Sequence, residues 1–191
     1  MPLNIPNLLT WLRILMIPLF VGLLYLPDTW LSLHQQHLFS ALIFALAAVT
    51  DWFDGYLART LNQTSAFGAF LDPVADKLMV AAALIVLVDL GQVAAFLAFI
   101  IIGREITISA LREWMAQIGA SQNVAVSMLG KIKTAFQMLS IFLLLYQEPL
   151  WGLPTYEIGS LLIYLATILT LWSMVYYLML AAPKISQRQN S

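Results

Sequence analysis

Residues 51–77 read DWFDGYLARTLNQTSAFGAFLDPVADK, and this stretch decides the fold. It is a polar connection between two long apolar runs, and it places Asp51, Asp54, Asp72 and Asp76 at their ends. An ionised carboxylate beside hydrocarbon costs several kcal/mol, so such groups persist where function holds them. Asp51 and Asp54 are three apart; Asp72 and Asp76 are four apart. On helices each pair shares one face. Two helix ends joined by a short loop bring all four carboxylates around one point, a site for cations.

Outward from this stretch the chain is apolar almost throughout. Of its 191 residues 61% are hydrophobic and 10% are charged, against about 25% charged in a soluble domain. The chain reads as a single-domain (residues 1–191), all-α integral membrane protein. A hydrocarbon layer of about 30 Å needs roughly 20 apolar residues. The expected spans are Leu8–Leu26, Phe39–Leu57, Pro73–Leu90, Val93–Trp114, Val124–Tyr146 and Ile158–Ala181. The start, MPLNIPN, has no basic flank, and its apolar run outlasts a signal peptide, so it is expected to stay as the first span. With no cysteine, disulfides and thiolate metal sites are excluded. His34 and His37 fall in the connection Pro27–Leu38 and read as solvated surface residues.

The basic residues give the topology. Arg59 and Lys77 flank the connection between spans two and three; Arg104, Arg112, Lys131 and Lys133 surround that between four and five; Lys184 and Arg188 are in the tail. The other connections carry none. Lys and Arg concentrate in cytoplasmic loops. Six transmembrane helices with both termini cytoplasmic follow, with the aspartates near the cytoplasmic face. Nothing in the chain points to nucleic acid.

Four carboxylates without histidine or cysteine suit hard cations, Mg²⁺ or Mn²⁺. They can hold two divalent cations about 4 Å apart, an arrangement used in phosphoryl transfer. Gly55 and Ala58 leave room beside Asp54 for a flat group, and Gly68 serves the same end from the loop. Arg59 can fork onto a phosphate or pyrophosphate. Asp72-Pro73 reads as an N-cap followed by proline at N1, starting span three. Asp76 then lies near the positive end of that helix.

The pattern D-x2-D-G-x2-A-R-x8-G-x3-D-x3-D is complete from Asp51 to Asp76. It resembles the signature of the CDP-alcohol phosphotransferase family. The resemblance implies that Asp51, Asp54 and Asp72 bind two metal ions, and that Asp76 binds one of them and acts as the general base. It implies donor contacts at Gly55, Arg59 and Gly68 with Asp51, the glycines beside the cytidine and Arg59 on the pyrophosphate. It implies six transmembrane helices in a homodimer, with the site facing the cytoplasm.

The acceptor is read from the other half of the chain. Arg104 and Arg112 lie eight apart on one stripe of span four, with Glu105 beside Arg104; Lys131 and Lys133 open span five. A phosphate-bearing alcohol would use these cations, whereas an uncharged one would not. NIPNLLTWLR, REITISALREW and GKIKTAFQ add a resemblance to the bacterial branch that forms phosphatidylglycerophosphate. This implies CDP-diacylglycerol as donor, sn-glycerol 3-phosphate as acceptor and the bacterial inner membrane as location. Other acceptors within the family are inositol phosphate, serine or phosphatidylglycerol. A prenyltransferase would space its aspartate motifs much farther apart. A cation transporter would place its site near the midplane on broken helices, often within repeats.

Overall fold

In a computed structural model the chain forms a bundle of six α-helices. The structure describes residues 5–60, 66–117, 128–150 and 152–189. The helices are α1 (Ile5–Leu24), α2 (Leu33–Thr60), α3 (Ala66–Asp89), α4 (Ala95–Gln117), α5 (Met128–Tyr146) and α6 (Thr155–Gln189). Among the described residues there is no strand, only an isolated bridge between Leu150 and Leu153.

The core is a column of large side chains from every helix, including Phe20, Phe44, Leu84, Ile101, Leu144 and Ile163. α1 packs on α2 and α3, and α5 lies along α6. That last approach is close. A Cβ added to Gly159 would fall 2.9 Å from Cγ of Leu144, and Ser140 donates a 2.6 Å hydrogen bond to the Gly159 carbonyl. The outward faces are also apolar: Leu15, Phe99, Leu161 and Trp172 are all exposed. A bundle packed against hydrocarbon presents such a surface, because lipid tails solvate it as well as a core does.

Three differences from the sequence reading have physical causes. First, α2 begins at Leu33, not Phe39. Ser32 and Gln35 cap it reciprocally: Gln35 Oε1 accepts from the Ser32 amide at 3.1 Å, and Ser32 Oγ accepts from the Gln35 amide at 3.4 Å. This capping box draws both histidines into the helix. His37 is buried, and His34 pairs with Glu148, so they are not simply solvated loop residues. Second, α3 begins at Ala66, so Asp72 and Pro73 lie inside it and Asp72 is no N-cap. The turn before them is apolar, with Gly68 and Leu71 buried, and that packing extends the helix past the Asp-Pro pair. Asp76 is then ten residues into α3, beyond the first turn where the dipole acts. Third, only Leu33–Asp51 and Thr155–Met179 are, among the described residues, long and apolar enough to cross a membrane; Leu8–Leu24 and Ile132–Tyr146 are apolar but shorter. In α3 and α4 the run is interrupted by Asp72, Asp76 and Lys77, and by Arg104, Glu105 and Arg112.

The connections α1–α2, α3–α4 and α5–α6 meet at one end. Tyr25 donates to Asp89 at 2.7 Å, and His34 meets Glu148 there. Gly91, at φ 69°, ends α3 in the left-handed conformation, and the Gln92 amide returns to the Leu87 carbonyl at 2.8 Å. The aspartates lie at the opposite end.

Candidate functional site

At that opposite end α1 supplies partners the sequence reading overlooked. Arg13 is wholly buried and forms an ion pair with Asp51 of α2. Thr10, also wholly buried, donates a 2.5 Å hydrogen bond to Oδ1 of Asp72 in α3. The two lie one helical turn apart on a single face of α1. The signal was present in the sequence: a threonine and an arginine, i and i+3, in an otherwise apolar run.

Asp76 follows Asp72 by one turn. The charges acting on it are those of Asp51, Arg13, Glu105 and Lys77. It lines a cleft of roughly 200 Å³ between α3, α4 and α5, whose other walls include Lys77, Glu105, Thr134 and Gln137. Asp76 and Glu105, from the two halves of the chain, therefore open onto one space.

Glu105 organises the basic side. Its Oε1 accepts from Arg104 at 2.6 Å and from Lys133 Nζ at 3.0 Å. Arg104 also donates to Ser173 Oγ of α6 at 3.2 Å. Arg104 and Lys133 are almost fully buried, whereas Glu105 is partly open. Isolated buried cations would be costly, and the shared carboxylate offsets that cost. Arg112 lies farther along α4 with its guanidinium 5.5 Å from the ring centre of Tyr177, an exposed cation over a buried aromatic ring. It is close enough to act on Lys133.

The structure thus unites Arg104 and Lys133 through Glu105, with Arg112 farther along α4. Gly68 lies in the first turn of α3, buried, rather than in a loop. The side chains of Asp54, Arg59 and Lys131, and the surroundings of Gly55, lie outside the described residues.

The family question is settled by comparison with known proteins. The profile of the CDP-alcohol phosphatidyltransferase family matches residues 3–172. The chain belongs to this family. The match covers α1 through the first half of α6, and so both the aspartates and the basic residues. Curated relatives are similar over nearly their whole length. A protein of Shigella flexneri is 49% identical over 180 residues, 93% of this chain and 94% of its own. One of Escherichia coli is 49% identical and one of Salmonella typhimurium 48%, each over the same shares. All three bear the name CDP-diacylglycerol–glycerol-3-phosphate 3-phosphatidyltransferase. Two helices long and apolar enough to cross a membrane are in keeping with a family of lipid biosynthesis.

The family site can be tested for its fit to a metal by donor chemistry. Asp51, Asp72 and Asp76 offer carboxylate oxygens alone; both histidines are at the other end and there is no cysteine. Such a set fits a hard cation and does not fit zinc. Among the described residues no group of three or more acidic or histidine side chains is gathered around one point; Asp54 stands outside them.

Proposed function

We propose that the protein transfers the phosphatidyl group of CDP-diacylglycerol to sn-glycerol 3-phosphate, giving phosphatidylglycerophosphate and CMP. The observation that carries this reading is the cleft on which Asp76 and Glu105 both open, since Asp76 belongs to the acidic region suited to a metal-bound diphosphate and Glu105 is the carboxylate on which Arg104 and Lys133, suited to a phosphate, converge. The names of the near-full-length relatives supply the two substrates.

Asp51, Asp54, Asp72 and Asp76 would hold two divalent cations, Mg²⁺ or Mn²⁺. Bound there, such ions supply charge neutralisation for the diphosphate and lower the pKa of a neighbouring hydroxyl. Arg59 forks onto the pyrophosphate, and Gly55 and Gly68 leave room for the cytidine. Arg104, Arg112, Lys131 and Lys133 receive the acceptor phosphate. Asp76 takes the proton from the 1-hydroxyl of glycerol 3-phosphate. That oxygen forms a bond to the lipid-linked phosphorus in line. The bond from this phosphorus to the CMP oxygen breaks, and CMP leaves with the electron pair. Positioning and charge stabilisation do most of the work.

The chain would cross the bacterial inner membrane six times as a homodimer. Both termini and the cleft would face the cytoplasm, as the placement of Arg59, Lys77, Lys131 and Lys133 supports. The test is CMP release by the purified protein from CDP-diacylglycerol, with Mg²⁺ or Mn²⁺ and a panel of alcohols. Glycerol 3-phosphate should be the preferred acceptor. Preference for serine, inositol phosphate or phosphatidylglycerol would move the protein to another branch, and metal-independent behaviour would remove the cation site.

A further inference from the structure

We propose that Thr10 and Arg13 are positioning residues for the aspartate cluster, holding Asp72 and Asp51 in the orientation that captures divalent cations. The inference rests on the cation-binding reading of the cluster. Neither residue belongs to the signature between Asp51 and Asp76, and both come from a helix that contributes no carboxylate. Both are wholly buried. One face of α1 therefore reaches two different helices of the site: the Thr10 hydroxyl binds Oδ1 of Asp72, and the Arg13 guanidinium binds Oδ1 of Asp51.

An unrestrained carboxylate can rotate about its own side-chain bonds. A donor fixed to one oxygen removes that freedom and aims the other. Partners of this kind, one shell outside a metal's ligands, are commonly worth 10–100-fold in metal affinity. Charge alone gives Arg13 the opposite effect, because a permanent cation beside Asp51 repels an incoming cation. Its placement there is explained by geometry: a planar guanidinium carries its donors in a rigid fork, and one of them, Nη1, meets Oδ1 of Asp51, whereas a lysine ammonium is a mobile point charge. Thr10 carries no charge, so its contribution is orientation only. These contacts also tie α1 to the hairpin of α2 and α3 at the level of the site, so that all three helices share its alignment.

The variants that isolate this effect leave the net charge unchanged. Thr10→Val removes the hydroxyl and keeps the shape; Arg13→Lys keeps the charge and removes the fork. Thr10→Ser restores the hydroxyl. Thr167→Val loses a buried hydroxyl that donates to the Ile163 carbonyl at 2.7 Å within α6, and it serves as the control for losing a buried hydroxyl away from the cluster. Mn²⁺ binding to each full-length protein in detergent is titrated by electron paramagnetic resonance. The expected result is a loss of about 10–100-fold in Mn²⁺ affinity for Thr10→Val and Arg13→Lys, with wild-type affinity in Thr10→Ser and Thr167→Val. Unchanged affinity in both Thr10→Val and Arg13→Lys overturns the proposal, as does an equal loss in Thr167→Val. If Thr10→Val does not fold, Arg13→Lys decides alone by the same criterion. A wild-type protein that binds no Mn²⁺ overturns the cation reading itself, and the present inference with it. Wild-type binding with indifferent variants overturns only the inference.

Discussion

On the side formed by α1, α2 and α3, carboxylates outnumber cations around the site among the described residues: Asp51, Asp72 and Asp76 stand against Arg13 and Lys77. Around Glu105, on α4 and α5, the balance is reversed: Arg104 and Lys133 both bind that one carboxylate, with Arg112 nearby. The two sides also compensate their charges differently. Asp51 and Asp72 draw partners from a separate helix, Arg13 and Thr10, each reaching across the bundle. Arg104 and Lys133 share one carboxylate that is the immediate neighbour of Arg104 in the chain. Opposite charge surpluses thus lie side by side in an apolar bundle, and they meet where Asp76 and Glu105 line one cleft. Each side is neutralised in part, and in the proposed reading the remaining charge receives a ligand of the opposite sign: cations on one side, a phosphate on the other.

Asp76 faces the cleft and, among the described residues, has no compensating partner of the kind that Asp51 and Asp72 have. Asp76→Asn should reduce CMP release by about 10²–10⁴-fold, the range for loss of a general base, while the helical circular dichroism is retained. Full activity in that variant would remove Asp76 from the chemistry. On the basic side, Lys133→Met should raise KM for glycerol 3-phosphate by roughly 10–100-fold, the equivalent of one charge-assisted hydrogen bond. KM for CDP-diacylglycerol should stay near its wild-type value. A rise in both constants would mean that Lys133 supports the whole fold rather than one substrate.

Smaller effects sharpen the scaffold beneath the comparison. Gly159→Ala pushes a methyl group against Leu144, and overpacking of this kind destabilises by about 1–3 kcal/mol. The melting temperature should fall. An unchanged melting temperature would show that α5 and α6 separate at little cost. Glu148→Gln breaks the exposed pair with His34 at the far end. Exposed pairs contribute about 0–1 kcal/mol, so both stability and turnover should be nearly unchanged. A marked loss of activity would mean that the two ends of the bundle are coupled.

The helical fold and both charged regions were legible in the sequence because charge in an apolar chain stands out. The number and order of helices follow from apolar runs of the right length. The signature gave the acidic residues, and the stripe of Arg104 and Arg112 pointed to the basic side. Two things were not legible. Helix starts depend on local competition: the Ser32–Gln35 capping box extended α2 backwards, and the buried turn around Leu71 overrode the Asp72-Pro73 start signal. Partners across the bundle depend on packing. Thr10 and Arg13 lie 62 and 38 residues from the aspartates they meet, and no local pattern encodes that distance. The joining of Lys133 to Glu105 across 28 residues is of the same kind.

Direct transfer of the phosphatidyl group requires donor and acceptor to occupy one cleft together. The most direct test is the initial rate of CMP release by the wild-type protein in detergent micelles, with CDP-diacylglycerol and glycerol 3-phosphate both varied. A ternary complex gives double-reciprocal lines that intersect, and this is the expected result. Parallel lines, the mark of a covalent phosphatidyl-enzyme formed before the acceptor binds, would contradict it.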